Sequence, residues 1–419
     1  MSMAEKRIVL GNCGVIDPRD IGAYLAKGGF KALERARRMK PSAIVAEIKK
    51  SGLTGRGGAG FPCGLKWELA LNTKAKQKYL ICNADEGEVG TFKDKYILSH
   101  DPFGLIEGML IAGLAIGARQ AYIYLRAEYH PLQELLNSAL KQARDKGFLK
   151  SMDIQVFEGA GAYICGEESA LMNSIEGKRG ESRYKPPYPP TRGLWDQPTI
   201  INNVETLMNV PHIINNGAAW FSALGTGRSK GTKVFSVSGD VSKPGVYELE
   251  MGSCLRELVA DLAGAVDIKA VQVGGSTGSI IPGHMLDVPL SHETCLGSGA
   301  VVVFNSRRDI IDIVYNDMHF LNEESCGKCT PCREGTEVMM EILDRLRRVE
   351  GMNGDIDALE DLARTMAIAS LCGLGQAAAV PVMDSLKYFR EEYLACIEQS
   401  VYLRSYLSGE SIEVKEAVR

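Results

Sequence analysis

The tightest constraint in this sequence is Cys326-Gly-Lys-Cys329-Thr-Pro-Cys332, a C-x2-C-x2-C run. Thiols at this spacing can occupy three corners of one inorganic centre from a single tight turn, as they do around iron-sulfur clusters. The fourth ligand must come from elsewhere. Cys372, in Ser370-Leu-Cys372-Gly-Leu-Gly375, is the best candidate, because its flanking glycines let backbone approach such a centre closely. A structural zinc is the rival, but zinc sites usually pair C-x2-C units or combine Cys with His. Lys328 and Arg333, inside the same loop, either offset the negative charge of a thiolate-held cubane or are solvated surface charges. Cys13, Cys63, Cys82, Cys165, Cys254, Cys295 and Cys396 are spread singly and read as small buried apolar residues. The total of 11 cysteines is odd, and the start of the chain lacks a secretory pattern, so a disulfide framework is not expected and a cytoplasmic location is.

At 419 residues the chain is long enough for two to four domains. Forty-eight Lys and Arg against 52 Asp and Glu leave a net charge of −4, which gives no broad grip on nucleic acid or anionic lipid. The most apolar stretch, Gly104 to Ala118, is too short for a bilayer and carries Glu107; it predicts a buried helix and no direct membrane insertion.

Apolar spacing between Asp20 and Lys50, broken by Gly28-Gly29 and Pro41, predicts two or three short helices. After the glycine cluster Gly52 to Gly64, an α/β alternation begins. Strands are expected at Tyr79–Cys82, Ala121–Leu125 and Ile154–Phe157, and helices at Leu105–Ile116 and Pro131–Lys146. Between Thr232 and Phe304 the texture becomes β-rich: Val234–Val237, Gly245–Glu248, a helix over Leu255–Leu262, then Val271–Val273 and Ala300–Phe304. Long helical patterns follow at Glu337–Arg348, Ile356–Ala369 and Val380–Ile397. The expected organisation is residues 1–70 as a helical and glycine-rich lead-in, 71–231 as the catalytic body, 232–305 as a compact α+β module and 306–419 as a helical region with the cysteines.

Gly55-Arg-Gly57-Gly58-Ala-Gly60 satisfies G-x-G-x-x-G, whose bare backbone can converge on a phosphate or a flat ring. What precedes it reads as a lysine-tipped helix rather than a strand, so the context of a standard dinucleotide fingerprint is missing and a plain glycine-rich turn stays open. Asn83-Ala-Asp85-Glu86-Gly-Glu88 follows a strand, at the edge where open α/β sheets bind ligands. Its carboxylates suit ribose hydroxyls and repel a 2′-phosphate, unless they are a solvated loop. Glu167-Glu168 would start a helix, whose dipole tolerates the charge. Lys185-Pro-Pro-Tyr188 is stiffened by proline and could wall a pocket. Asn202-Asn203-Val-Glu-Thr206 opens another helix and reads as a cap or a phosphate site, with capping favoured.

Taken in order, Gly55 to Pro62, Asn83 to Glu88, Gly161 to Glu168, Lys185 to Tyr188, Asn202 to Thr206 and Cys326 to Cys332 closely resemble the NADH-binding flavoprotein subunit of respiratory complex I. The diaphorase subunits of NAD-linked hydrogenases and formate dehydrogenases belong to the same family. The resemblance implies an NADH dehydrogenase: hydride passes from NADH to FMN, then single electrons to a [4Fe-4S] cluster and onward to partner subunits. It implies a Rossmann-like FMN domain, a ubiquitin-like β-grasp module and a C-terminal helical bundle. By the resemblance, FMN is held by Gly55, Gly57, Gly58, Lys66, Asn83, Asp85, Tyr163, Gly166, Glu167, Asn202, Asn203 and Thr206, with Arg56 and Glu86 of the same motifs also counted as cofactor-binding. Phe61, Glu88, Glu168, Lys185 and Tyr188 line the NADH site, and Glu88 and Glu168 are the catalytic candidates, suited to ribose recognition. Cys326, Cys329, Cys332 and Cys372 hold the cluster.

Three positions depart from the family pattern: Leu69 replaces an adenine-stacking aromatic, Val89 a frequent proline and Cys63 a common threonine. Cys63 is thereby a candidate for oxidation near the site. The expected neighbours are a thioredoxin-like [2Fe-2S] subunit and a further iron-sulfur or catalytic subunit of a hydrogenase, formate dehydrogenase or complex I arm. The competing reading is a non-catalytic iron-sulfur scaffold that has lost flavin.

Overall fold

The computed structural model describes residues 5–408; the expected helical region 306–419 therefore ends in a stretch outside the described residues. Three short helices, Ile21–Ala26, Lys31–Arg37 and Pro41–Ser51, lead in, the last stopped by Gly52 at φ 71°. A four-stranded sheet follows, formed by β1 (Tyr79–Ala84), β2 (Gln120–Leu125), β3 (Asp153–Glu158) and β4 (Thr199–Asn203) in the order β3-β2-β1-β4. Every pairing is parallel. Parallel strands are covered on both faces and so read as continuous apolar runs, as Leu80, Ile81 and Cys82 do.

The apolar stretch near residue 110 is the buried helix Pro102–Ile116, begun by the Asp101 side chain accepting from Gly104 N–H at 2.9 Å and ended by Gly117 at φ 77°. It packs so closely on the helix Val204–Asn216 that a Cβ on Gly108 would stand 2.2 Å from the Leu207 carbonyl oxygen. Glu107 is buried because the lead-in needs its carboxylate. It accepts from the Tyr24 hydroxyl at 2.5 Å and from the N–H groups of Phe30 and Leu33 at 2.8 and 2.9 Å. A single side chain on the deepest helix thus satisfies the first turn of Lys31–Arg37.

The second sheet consists of β5 (Thr232–Gly239), β6 (Gly245–Glu250), β7 (Ile268–Val273), β8 (Ser279–Pro282) and β9 (Ala300–Asn305), ordered β6-β5-β9-β7-β8. β5 is antiparallel to β6 and parallel to β9, and β7 is antiparallel to β8 and β9. The Leu255–Leu262 pattern becomes a π-helical segment at Glu257–Leu262. The fold class is thus mixed, with an α/β body, an α+β module and a helical C-terminal region, as expected.

Two strands are absent from the sequence reading. β4 has only Ile200 and Ile201 as apolar residues, and β8 is four residues ending in Pro282. The expected helix Val380–Ile397 is also corrected. It is two helices, Val380–Tyr388 and Arg390–Ser408, separated at Phe389, whose φ of −133° is not helical. No Gly or Pro marks this break, so the local sequence carries no signal for it. The helical core of Leu321, Met339, Leu343, Leu359 and Met366 is continuous with Ile164 and Leu171 beside the first sheet and with Ala270 and Ile280 of the second. Among the described residues no helix is long and apolar enough to cross a membrane.

Candidate functional site

β1 leads to β2 on one side while β4 lies on its other side, so a crevice opens at its carboxyl end. Asn83, Asp85, Glu86 and Glu88 stand there, over a cavity of about 710 Å3. One wall is the glycine turn Gly57 to Gly60 with Asn203, where a Cβ on Gly57 would meet Asn203 Cβ at 3.1 Å. Tyr163, Gly166 and Glu167 form a second wall. The far side was not anticipated. It comes from the second sheet, through Val273 to Ser279 and Ser291 to Ser298, and from Gly373, Leu374 and Ala377 of the helical region. The glycines Gly274-Gly275 and Gly297 mark these turns in the sequence, but nothing local says which way they face.

The acidic edge is tightly organised. Asn83 Nδ2 donates to the Gly166 carbonyl at 2.9 Å, and its Oδ1 accepts from the Asp85 N–H at 3.0 Å. Asp85 Oδ2 is buried without a partner, and burial pushes that carboxyl up to about 7. An orphaned acceptor in a polar cavity calls for a donor on a ligand, which fits the polar edge of a flavin. Glu86 turns away from this role. It accepts from Asp94 N–H, Lys95 N–H, the Thr91 hydroxyl and the Tyr129 hydroxyl at 2.8 to 3.1 Å, so its oxygens are spent on the first turn of the helix Lys93–His100 and on two neighbouring hydroxyls. Glu88 accepts from the Tyr163 hydroxyl at 2.6 Å and the Ser276 N–H at 2.8 Å.

A second group of expected residues forms a charged rim. Lys185 Nζ lies 2.8 Å from both Glu167 and Glu168, and Lys66 Nζ lies 3.2 Å from Glu168. Burial pushes Glu168 up, but the two ammonium groups outweigh it and hold the carboxyl below its ordinary range. Glu167 also caps the helix Glu168–Ile175, accepting from Ser169 and Ala170 N–H at 2.9 and 3.0 Å. Phe61 and Tyr188 are 45 % and 56 % exposed, flat surfaces free to stack on a ligand, and Lys66 Nζ stands 5.9 Å from the Phe61 ring centroid. Leu69, also 45 % exposed, adds no aromatic face.

Several other expected side chains make contacts within the protein. The Arg56 guanidinium is buried and donates to the carbonyls of Thr232, Thr54 and Lys230 and to the Thr54 hydroxyl, tying the glycine turn to the second sheet. Thr206 Oγ1 accepts from the Arg56 N–H at 2.8 Å and is buried. Asn202 Oδ1 accepts from Trp67 Nε1 at 2.8 Å. None of these three side chains lines the cavity. Gly55 stands behind the turn, its N–H donating to the Phe61 carbonyl at 2.9 Å. Asn203 Oδ1 caps Val204–Asn216 as expected, accepting from Glu205 N–H, while its Nδ2 donates to Asp94 at 2.6 Å. Cys63 is 1 % exposed and burial pushes its thiol up to about 12, so the oxidation expected of it is disfavoured.

The cysteines converge beside the cavity. Cys329 precedes the helix Thr330–Arg347, with Cys326 in the turn before it and Cys332 in its first turn. Cys372 precedes the short helix Gly373–Ala377. The Leu371 N–H donates to Cys329 Sγ at 3.5 Å, and a Cβ on Gly375 would stand 2.9 Å from Cys332 Cβ, so the two segments interlock. All four thiols are free. After burial, it is the nearness of Cys329, Cys372 and Cys326 that raises the Cys332 thiol. Among the described residues no group of three His, Cys, Asp or Glu side chains is placed to hold a single metal ion; four cysteines, three of them at C-x2-C-x2-C spacing, are the donor set an iron-sulfur cluster uses. Lys328 Nζ pairs with Glu181 at 3.0 Å and donates to the Ser182 carbonyl at 2.8 Å. Arg333 pairs with Glu334 at 2.7 Å and donates to the Gly327 carbonyl, within the cysteine loop, at 2.8 Å. Arg179, donating to the Cys326 carbonyl at 2.8 Å, is a cation the sequence did not single out.

Three regions of the chain match known families. Residues 48–212 match the Nuo51 FMN-binding domain, residues 234–279 the SLBB domain, and residues 312–396 the NADH-ubiquinone oxidoreductase-F iron-sulfur binding region. The chain is 43 % identical to the NADP-reducing hydrogenase subunit HndC of Solidesulfovibrio fructosivorans over 412 residues, 94 % of this chain and 84 % of that protein. It is 43 % identical to an NADH-quinone oxidoreductase subunit of Rhizobium meliloti over 411 residues, 94 % of this chain and 98 % of the relative. A chain of an NAD+-reducing [NiFe]-hydrogenase, solved in its H2-reduced state, superposes with a TM-score of 0.85 at 39 % identity, covering 92 % of this chain and 70 % of that one. This chain therefore belongs to the family of FMN-binding, iron-sulfur electron-entry proteins found in NADH-quinone oxidoreductases and NAD-linked hydrogenases.

Proposed function

We propose that this chain is the NADH-oxidising member of a larger redox complex, with FMN in the glycine-lined cavity and a [4Fe-4S] cluster on Cys326, Cys329, Cys332 and Cys372. The observation that carries this reading is adjacency: Gly373 and Leu374, immediately after Cys372, are themselves part of the cavity wall. Bound FMN would accept a hydride and release electrons singly, which is the chemistry a cluster needs from a two-electron donor.

The chain's own residues bind and orient. Gly57 and Gly58 offer bare backbone to the cofactor, and Asn203 stands at a helix N-terminus that favours a phosphate. Asp85 Oδ2, without a partner in the protein, and Asn83 would hold the cofactor's polar groups, with Tyr163, Gly166 and Glu167 lining the same cavity. Lys66, Glu168, Lys185, Phe61 and Tyr188 receive the dinucleotide at the rim, and Glu88 accepts a ribose hydroxyl. The Glu88 and Glu168 carboxylates disfavour a 2′-phosphate, so NADH is the preferred donor. The electrons leave to a thioredoxin-like [2Fe-2S] subunit and then to a hydrogenase, formate dehydrogenase or complex I arm, and the protein works in the cytoplasm.

The test is the purified, anaerobically reconstituted chain. It should carry about one FMN and reduce ferricyanide faster with NADH than with NADPH. In Cys329→Ala, NADH should still bleach the flavin absorbance while the cluster's EPR signal is lost. An iron-sulfur spectrum without flavin overturns the proposal in favour of a scaffold, and an intact signal in Cys329→Ala overturns the ligand set.

A further inference from the structure

Glu88 follows the first sheet, and its two carboxylate oxygens are held from two sides: Oε2 by the Tyr163 hydroxyl at 2.6 Å and Oε1 from the second sheet. The donor to its Oε1 is the backbone N–H of Ser276, in the turn joining β7 to β8. The two residues before Ser276 are Gly274 and Gly275, at φ +106° and +79°. A Cβ built on Gly275 would stand 2.1 Å from Glu88 Cγ and 2.4 Å from both Cδ and Oε1, so any side chain there occupies the space Glu88 needs. The turn cannot retreat. A Cβ on Gly297 would lie 2.3 Å from Gly274 Cα, so backbone already touches backbone behind it. Below it, Gln272 Nε2 donates to buried Asp317 at 2.6 Å, pinning β7 to the helix Ile310–Glu323. The rest of the acidic segment is gripped by the same sheet. The Phe92 N–H donates to Ser236 Oγ at 2.9 Å, and a Cβ on Gly90 would meet Val302 Cγ2 at 2.7 Å.

We propose that Gly275 and the Ser276 N–H are positioning elements that set the orientation of the Glu88 carboxylate and, through it, the affinity for the dinucleotide. The second sheet is then a working part of the substrate site. This inference rests on the reading of Glu88 as a ribose acceptor. A side chain at 275 displaces Glu88 from both the Ser276 N–H and the Tyr163 hydroxyl. What is lost is an interaction made equally in the bound complex and during hydride transfer, so KM rises while kcat holds.

The experiment compares Gly275→Ala, Glu88→Gln and the double variant in the FMN- and cluster-loaded full chain. Gly275→Ala should keep about one flavin per chain and raise KM for NADH roughly tenfold, the loss of a charge-assisted hydrogen bond, with kcat within about twofold. The double variant should have the KM of Glu88→Gln, because Gly275 has nothing left to position. An unchanged KM in Gly275→Ala, or a double variant whose KM is the product of the two single effects, overturns the proposal. If Glu88→Gln itself leaves KM unchanged, the ribose reading of Glu88 has failed, and the positioning role falls with it. Should Gly275→Ala fail to retain flavin, Thr277→Val decides in the same terms, since the Thr277 hydroxyl also supports the ionised Glu88 carboxyl.

Discussion

Asp85 and Arg56 sit within two of the most recognisable motifs and make opposite use of their charges. Asp85 is held above the ordinary 3.8, to about 7, by burial. The folded chain therefore keeps that proton to near pH 7, while the unfolded chain releases it from about 4 upward. As pH rises through this window the unfolded state is progressively favoured, and above it the destabilisation is complete. Asp85→Asn should flatten this decline in the flavin-free protein, as read by urea midpoints across the same window; an unchanged slope would assign the titration to Glu86, Glu248 or Asp317, which burial also raises to about 7. For Arg56 the expected effect is structural. Arg56→Lys cannot reproduce a fork that reaches the carbonyls of Thr232, Thr54 and Lys230, so the flavin-free chain should lose about 2–3 kcal/mol of stability. A residue acting only on cofactor would leave the flavin-free melting temperature untouched.

At the scale of elements, the helix Pro102–Ile116 shows how one buried charge can organise its neighbours. Glu107→Leu leaves the Tyr24 hydroxyl and the Phe30 and Leu33 N–H groups without their acceptor, which should cost about 2–5 kcal/mol in chemical denaturation. A loss below about 1 kcal/mol would mean that water reaches the lead-in helices. Elements with strong periodicity were legible from the sequence: the buried helix, β1 to β3, the β5/β6 pair and the long helices over Glu337–Arg347 and Ile356–Ala369, though not the first turns of Thr330–Arg347 or the short helix Gly373–Ala377 beside the cysteines. β4 was not, since Asn202 and Asn203 are polar for reasons of pairing and capping that appear only after β4 joins β1. The candidate site divides along the same line. Glycines and acids announced a ligand, because their backbone freedom and charge are local properties. The turn at Gly274 and Gly275, the His292 ring against Gly60 and the diversion of Arg56 depend on contacts across more than 100 residues, which no local pattern encodes.

At the scale of the whole molecule, the cavity is bordered by stretches far apart in the chain: the segments around Gly57, Asp85 and Tyr163, the turns near Thr277 and His292, and the residues after Cys372. Whatever fills it touches all of them at once. A ligand that binds only the assembled state adds its binding free energy to every contact the assembly requires. Titrating FMN into the flavin-free chain should therefore slow amide exchange in these stretches together, along one saturation curve, rather than one after another. The cofactor would then serve as a keystone as well as a redox group, and a cell short of riboflavin would lose the protein to proteolysis before it accumulated an idle form.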